Sequence, residues 1–200
     1  MVNGAKIYGL VLSGGKSTRM GQDKGLLIYH GKPQREYLYG MLNTVCVKTF
    51  LSIRKEQASE ITPKFKTIVD TNEYDGPYNG LLSAYKKYPN VAWLVLACDL
   101  PLMNVESLKE LIAVRNVKKH PLATSFALKE NPLPEPLCAI WEPEALKQSI
   151  ICLQTQKASS PRKFLIKNNV DLVFPSNEEA LLNANSMEDY KAAIGKISTV

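Results

Sequence analysis

The chain has 200 residues, of which 45% are apolar and 22% are charged. These values are typical of a globular protein with a substantial core, and we expect a single domain over residues 1–200. The 25 Lys and Arg residues exceed the 19 Asp and Glu residues, which suits a polyanionic ligand. No dense basic run and no basic stripe with interleaved aromatic residues is present, so no nucleic-acid partner is expected.

The sequence also lacks the patterns of membrane and redox proteins. No stretch approaches the roughly 20 apolar residues that a membrane-spanning helix needs, and the first apolar run is too short for a signal peptide. The four cysteines are far apart, with no C-x-x-C pair that would indicate zinc or redox chemistry. They are Cys46, Cys98, Cys138 and Cys152. We therefore expect a cytoplasmic protein with no membrane partner.

Apolar runs typical of β-strands alternate with segments of helical periodicity along the chain. The predicted strands are residues 6–12, 49–53, 66–70, 91–98, 121–127, 136–141 and 170–174. The predicted helices are residues 33–48, 78–88, 104–117 and 142–153. The strand at 91–98 is apolar on both faces, as expected when helices cover each side of a sheet. The alternation predicts a three-layer α/β/α fold with a mostly parallel central sheet.

The most informative segment directly follows the first predicted strand. Gly14 and Gly15 carry no side chain, so a ligand can lie against the main chain there. Lys16, Arg19 and Lys24 bring three cations into the same short segment, and loop N–H groups add partial positive charge. This combination predicts a cradle for the phosphates of a nucleoside triphosphate.

Two common phosphate-binding patterns do not fit this loop. The P-loop pattern requires a glycine at position 10, where this chain has Leu10. The dinucleotide pattern requires two glycines separated by one residue, whereas Gly14 and Gly15 are adjacent.

Ligands of open α/β sheets bind beyond the carboxyl ends of the strands, so other functional residues should also follow strands. Asp99 directly follows the strand at 91–98, and Pro101 should make its turn rigid. A carboxylate at this place can ligate Mg²⁺ together with water and phosphate oxygens; the alternative is an Asp that caps the next helix or turn.

Gly76 and Gly80 open a predicted helix after the third strand, where backbone N–H groups can face an anion or a base edge.

Two histidines and two tryptophans are given no functional role. His30 lies beside a Gly-Lys turn and His120 precedes a proline, so both are expected to be solvated loop residues. Trp93 and Trp141 lie in apolar strands and are expected in the core.

The loop after the first strand resembles L-x-G-G-x-S-x-R-M-G-x-D-K, the signature of the nucleotidyltransferases. The agreeing residues are Leu12, Gly14, Gly15, Ser17, Arg19, Met20, Gly21, Asp23 and Lys24. With Asp75–Gly80 and Cys98–Pro101, the chain resembles the molybdenum cofactor guanylyltransferase family in particular. Glu135–Ala139 is similar to the E-P-L-x-A segment of that family, and Leu182–Asp189 to its F-x-N-x-N-T-P-E-D region. Ser160–Leu165 is similar to its helix with a basic residue near the pterin.

This resemblance implies a Rossmann-like nucleotidyltransferase fold and a Mg²⁺-dependent enzyme. The implied reaction transfers GMP from GTP to the terminal phosphate of molybdopterin, which usually carries molybdenum. It releases pyrophosphate and forms the guanine dinucleotide form of the molybdenum cofactor. The implied partners are GTP, molybdopterin and other proteins that make or accept the cofactor.

The resemblance also implies three groups of site residues. The implied catalytic residues are Arg19, Lys24 and Asp99, of which Asp99 is also the metal ligand. The implied nucleotide-binding residues are Leu12, Ser13, Gly14, Gly15, Lys24, Asp70, Gly80 and Asp99. The implied pterin-binding residues are Glu135, Arg162, Asn183 and Asn185. Because two polyanions must meet in line, positioning and charge neutralisation are expected to supply most of the catalysis.

Some residues depart from the family pattern. Ser13 replaces the usual alanine. Ser52–Lys55 stands where many members have an Asn that meets the base, and Arg54 there presents different hydrogen-bonding groups. Gly76–Gly80 reads G-P-Y-N-G where G-P-L-A-G is common, and the larger side chains should add bulk near the nucleoside.

Because these departures lie where the nucleoside would bind, two alternatives to guanylyl transfer stay open. One alternative is a transferase that uses CTP or another nucleotide on molybdopterin or on a sugar or alcohol phosphate. Another is a non-catalytic protein that binds a nucleotide or the cofactor. The cationic loop and Asp99 favour an enzyme, since a protein that only binds would not need both.

Overall fold

Seven strands of the described chain form one central sheet. The computed structural model describes residues 4–15, 23–116, 121–156 and 160–198. The strands are β1 (Ile7–Leu12), β2 (Lys48–Ile53), β3 (Thr67–Val69), β4 (Ala92–Ala97), β5 (Ala123–Phe126), β6 (Cys138–Trp141) and β7 (Val170–Val173). Their order across the sheet is β3-β2-β1-β4-β6-β5-β7. β6 runs antiparallel to both of its neighbours, and all other pairs are parallel. The mostly parallel sheet and the seven predicted strands are confirmed.

Helices connect the strands and cover the sheet. Among the described residues the α-helices are α1 (Gln34–Val45), α2 (Pro77–Lys87), α3 (Val105–Val114), α4 (Pro143–Gln156), α5 (Pro161–Ile166) and α6 (Met187–Ser198). Short 3₁₀ helices lie at Lys24–Leu26, Lys55–Glu60 and Glu178–Leu181. No described helix has both the length and the apolar character required to cross a membrane.

The alternation of side chains along the fully buried strand β4 separates two layers of core. Trp93 and Val95 belong to an apolar cluster with residues of α2, α4 and α5. Leu94 and Leu96 point to the opposite face and belong to a cluster with residues of α1 and α3. Successive strand residues face opposite sides of a sheet, so these two clusters confirm the three-layer α/β/α arrangement. Trp93 and Trp141 are fully buried, as predicted.

The helices differ from the sequence prediction mainly near the C-terminal end. α3 begins after Asn104, whose side chain accepts the N–H of Ser107 at 2.9 Å, but the helix ends at Val114 rather than at residue 117. α6 was not predicted, although Tyr190, Ala193, Ile194 and Ile197 recur at helical spacing and pack in one small cluster with Leu27 and Tyr29.

The strand order places β1 and β4 side by side at the point where the order reverses. The chain passes from β1 outward through β2 and β3 and returns to the other side of β1 as β4. Leu12 and Ala97, the last residues of β1 and β4, are register partners. The glycine turn after β1 and the Asp99 turn after β4 therefore begin next to each other, at the edge where α/β proteins bind ligands.

Candidate active site

An open cavity of about 690 Å³ lies at this edge of the sheet. Ligand pockets usually enclose about 300 to 1,000 Å³, so the cavity can hold a nucleotide-sized molecule. Its walls come from turns that follow β1, β2, β3 and β4, from the start of α2 and from the segment before α6. The predicted site residues that line it are Leu12, Ser13, Gly14, Gly15, Lys24, Asp70, Gly80, Asp99 and Asn185.

Lys24 and Asp99 come together inside this cavity. The Nζ atom of Lys24 lies 3.7 Å from Oδ2 of Asp99 and donates to Oδ1 of Asn185 at 2.6 Å. Lys24 begins a 3₁₀ helix that is capped by Asp23, whose side chain accepts the N–H of Gly25 at 2.8 Å. Asp99 caps no helix, since Asn104 performs that role for α3. A cation and a carboxylate thus face the same space.

Burial raises the pKa of the Asp99 carboxyl group, and the nearby Lys24 ammonium partly opposes this increase. A desolvated carboxylate is stabilised by a cation that replaces its lost hydration. Among the described residues, no three His, Cys, Asp or Glu side chains group together as a metal site. Mg²⁺ often binds with one carboxylate and fills its other positions with phosphate oxygens and water. Asp99 fits that kind of site.

Asp70 occupies the β3 side of the cavity. Its Oδ1 atom accepts a hydrogen bond from Ser52 Oγ at 2.6 Å. Burial raises the pKa of its carboxyl group, while the Ser52 hydrogen bond and the charge of Arg54 act in the opposite direction. A side chain at position 14 would overlap Oδ2 of Asp70, so Gly14 allows the first and third strand ends to approach closely without displacing that carboxylate. Gly15 is different, because a side chain there would meet no atom of the described residues within 4 Å.

The raised pKa of Asp70 predicts how stability changes with pH. At a pH between the ordinary pKa of 3.8 and the raised pKa of the folded state, the carboxyl group is ionised in the unfolded chain but protonated in the folded chain. The free energy of unfolding therefore falls as the pH rises through this range. The side chain of the Asp70→Asn variant does not ionise, so this fall in the free energy of unfolding is absent. We expect the nucleotide-free variant to gain stability relative to the unaltered chain as the pH rises above 3.8. Urea denaturation across this range measures the gain, and a pH-independent difference would contradict it.

Three of the residues expected on the pterin side line a second, smaller cavity. Glu135, Arg162 and Asn183 border a space of about 100 Å³, and Nη2 of Arg162 lies 2.6 Å from Oε2 of Glu135. Asn185, the fourth, lies in the first cavity beside Lys24. The structure therefore divides this group between two cavities, and the pterin-binding role of its members stays a prediction.

Several sequence expectations need correction or fall outside the described chain. Tyr78 does not add bulk to the cavity: it is buried, with its ring 6.3 Å from that of Trp141, while Asn79 lines the cavity. His30 is not a freely solvated loop residue, because its Nε2 atom lies 2.8 Å from the carbonyl oxygen of Pro101 and its ring stacks on Tyr37. Lys16, Arg19 and His120 lie outside the described residues.

Other residues of the cavity are not among the predicted site residues, although the sequence analysis noted Arg54 as a departure from the Asn of the family. Arg54 follows β2 in the way that Asp99 follows β4, and its Nη1 atom donates to the carbonyl oxygens of Gly14 at 2.6 Å and Gly15 at 3.1 Å. The rule that functional residues follow strands could have identified it. Asn72 and Tyr74 also line the cavity, but their segment carries no pattern that distinguishes it from an ordinary loop.

The strand order, the helices on both faces and the cavity beyond β1 and β4 define an open α/β protein that binds its ligand where the strand order reverses. A solved structure with this fold is that of molybdopterin-guanine dinucleotide biosynthesis protein A from Archaeoglobus fulgidus. It matches with a TM-score of 0.77 at 21% identity, over 96% of this chain and 100% of the other. The expected fold class is confirmed.

The chain belongs to the MobA-like NTP transferase domain family, whose sequence profile matches residues 9–171. It is 39% identical over 191 residues to a molybdenum cofactor biosynthesis bifunctional protein from Synechocystis sp., covering 94% of this chain and 54% of that protein. It is also 33% identical over 168 residues to a probable molybdenum cofactor guanylyltransferase from Methanocaldococcus jannaschii, covering 80% of this chain and 82% of the relative. The chain thus spans about half the length of the first relative and most of the second.

Proposed function

We propose that the chain is a Mg²⁺-dependent guanylyltransferase. It transfers GMP from GTP to the terminal phosphate of molybdopterin, releases pyrophosphate and forms the guanine dinucleotide form of the molybdenum cofactor. One observation carries the proposal: the glycine turn, Lys24 and the desolvated carboxylate of Asp99 line a single cavity of nucleotide size. Membership of the MobA-like family and the names of the relatives support the choice of GTP and molybdopterin as substrates.

The proposed step is a substitution at the α-phosphorus of GTP. An oxygen of the terminal phosphate of molybdopterin forms a bond to this phosphorus. The bond from the phosphorus to the bridging oxygen breaks, and pyrophosphate leaves with its electron pair. Because both substrates are anions, the main task of the protein is to bring them into line and offset their charge.

Different residues of the cavity perform different parts of this task. The N–H groups of the glycine turn offer partial positive charge to phosphate oxygens. Lys24 supplies a compact positive charge close to Asp99, and sequence reasoning gives Arg19 a similar role. Asp99 would hold Mg²⁺, which, when bound, neutralises phosphate charge and polarises the α-phosphate. Asp70 and Gly80 would position the nucleoside at the opposite wall.

A comparison of nucleotides tests the proposal. We expect kcat/KM for GTP to exceed that for CTP, ATP and UTP by at least about tenfold when each is supplied with Mg²⁺ and molybdopterin. Chromatography of the product and release of pyrophosphate are the measurements. Higher turnover with CTP would replace guanylyl by cytidylyl transfer. Binding of nucleotide without pyrophosphate release from any of the four would indicate a non-catalytic binding protein.

A further inference from the structure

Two side chains that follow β2 contact both described ends of the loop after β1. Arg54 directly precedes the 3₁₀ helix Lys55–Glu60, and Gln57 lies within it. Neither residue belongs to the site that the sequence predicts. We refer to Arg54 and Gln57 together as the clasp.

Gln57 joins the beginning of the loop to its end. Its side chain is only 2% exposed, and its Oε1 atom accepts the N–H of Arg54 at 2.8 Å. Its Nε2 atom donates to the carbonyl oxygen of Ser13 at 3.1 Å and to Oδ2 of Asp23 at 2.6 Å. A primary amide has two N–H donors, so both are used. One buried side chain therefore fixes the distance between Ser13 and Asp23.

Arg54 sets the orientation of the glycine turn. Its Nη1 atom donates to two successive carbonyl oxygens, those of Gly14 and Gly15. The C=O group and the following N–H group of a trans peptide point in opposite directions, so the N–H of Gly15 points away from Arg54. The guanidinium group also offsets the negative ends of two carbonyl dipoles that would otherwise repel a phosphate.

The clasp acts on Lys24 through Asp23. One carboxylate oxygen of Asp23 accepts from Gln57, and the other accepts from the N–H of Gly25 at 2.8 Å. Asp23 thereby caps the 3₁₀ helix that begins at Lys24. The position of the Lys24 ammonium group relative to Asp99 thus depends on a buried side chain that contacts neither of them.

We propose that Arg54 and Gln57 are positioning residues that hold the glycine turn and Lys24 in the arrangement that binds a triphosphate. The inference rests on the proposed function, because that function supplies the triphosphate. Binding groups that are already held in place lose less conformational freedom when the ligand arrives. Loss of the clasp should therefore weaken binding of the phosphates, whatever base is attached.

Calorimetry with two probes tests this inference. The probes are GTP and inorganic tripolyphosphate, each with Mg²⁺. We expect Arg54→Met and Gln57→Glu to weaken binding of both probes by about tenfold, the loss expected for a hydrogen bond that involves a charged group. Gln57→Glu preserves the shape of the side chain but replaces its donor by an acceptor. Lys55→Met is the matched control, since Lys55 is exposed and its substitution removes the same charge one residue away.

Two further variants separate positioning from folding. Arg54→Lys keeps the charge without the planar group and is expected to bind with intermediate affinity. In the double variant Gln57→Glu with Asp23→Asn, the new amide can donate to the new carboxylate, so part of the lost affinity should return. Thermal unfolding identifies variants that do not fold. Arg54 is 26% exposed, so its two variants carry the test if Gln57→Glu does not fold.

The outcomes distinguish this inference from the proposed function. Folded variants that bind both probes as tightly as the unaltered chain would overturn the positioning role. A loss for GTP with unchanged binding of tripolyphosphate would also overturn it and would assign Arg54 to recognition of the base. An unaltered chain that binds neither probe would refute the proposed function itself.

Discussion

Asp99→Asn is expected to lower the rate of nucleotidyl transfer by between about a hundredfold and a thousandfold. The amide has nearly the shape of the carboxylate, but it lacks the negative charge that would hold Mg²⁺ beside the phosphates. Lys24 and the glycine turn remain, so GTP should still bind with reduced affinity. Rates of pyrophosphate release at saturating GTP and calorimetric titration of GTP measure the two effects separately.

A matched substitution makes the Asp99 result specific. Asp171→Asn removes a carboxylate from β7, away from the cavity, and should leave both the rate and the affinity unchanged. Raising the Mg²⁺ concentration should restore part of the rate in Asp99→Asn if weak metal binding is the cause. Unchanged turnover in this variant would exclude Asp99 as the metal ligand.

Gly80→Ala is expected to destabilise the fold and to weaken nucleotide binding by about tenfold or more, as for loss of a hydrogen bond that involves a charged group. An added methyl group would overlap Ser52 Oγ and lie 2.9 Å from Cδ2 of Leu12. Overpacking of this kind typically costs about 1 to 3 kcal/mol in the free energy of unfolding. The methyl group would also displace Ser52, the hydrogen-bond donor to Asp70. Urea denaturation and titration of GTP measure the two losses.

Gly40 provides the matched control for this prediction. Gly40 lies exposed in α1, and an added methyl group there would meet no atom of the described chain within 4 Å. Gly40→Ala should therefore raise stability, by about 0.5 to 1 kcal/mol, since alanine favours a helix over glycine. Adding Ser52→Ala to Gly80→Ala removes the overlapping hydroxyl group and should recover part of the stability. A fully stable Gly80→Ala with normal affinity would show that the close approach at residue 80 is not required.

The central sheet could be predicted because its strands are short, apolar and separated by amphipathic helices. The strand at 91–98 is the clearest case, since its burial on both faces leaves a continuous apolar run. The same reasoning placed Asp99 and the glycine turn at one edge of the sheet, because both directly follow strands. The shared cavity and the Lys24–Asp99 distance agree with that expectation.

The parts that could not be predicted depend on contacts between distant segments. Gln57 is a polar residue in a charged segment, and nothing in its neighbourhood indicates that it is buried against Ser13 and Asp23. The position of Tyr78 depends on space beside Trp141, which no local pattern reveals. The separation of Asn185 from Glu135 follows from the path of the chain after β7, which no local pattern reveals.

The hydrogen bonds that complete the cavity also bear on how the protein is made. The N–H of Ala184 donates to the carbonyl oxygen of Asp99 at 2.8 Å, and Asn185 accepts from Lys24 across 161 positions of sequence. Contacts between such distant segments form late, because a long stretch of polypeptide must first be ordered. During translation, the glycine turn and Asp99 leave the ribosome long before Ala184 and Asn185 are synthesised. The nascent polypeptide therefore cannot close this wall of the cavity until Asn185 has been synthesised.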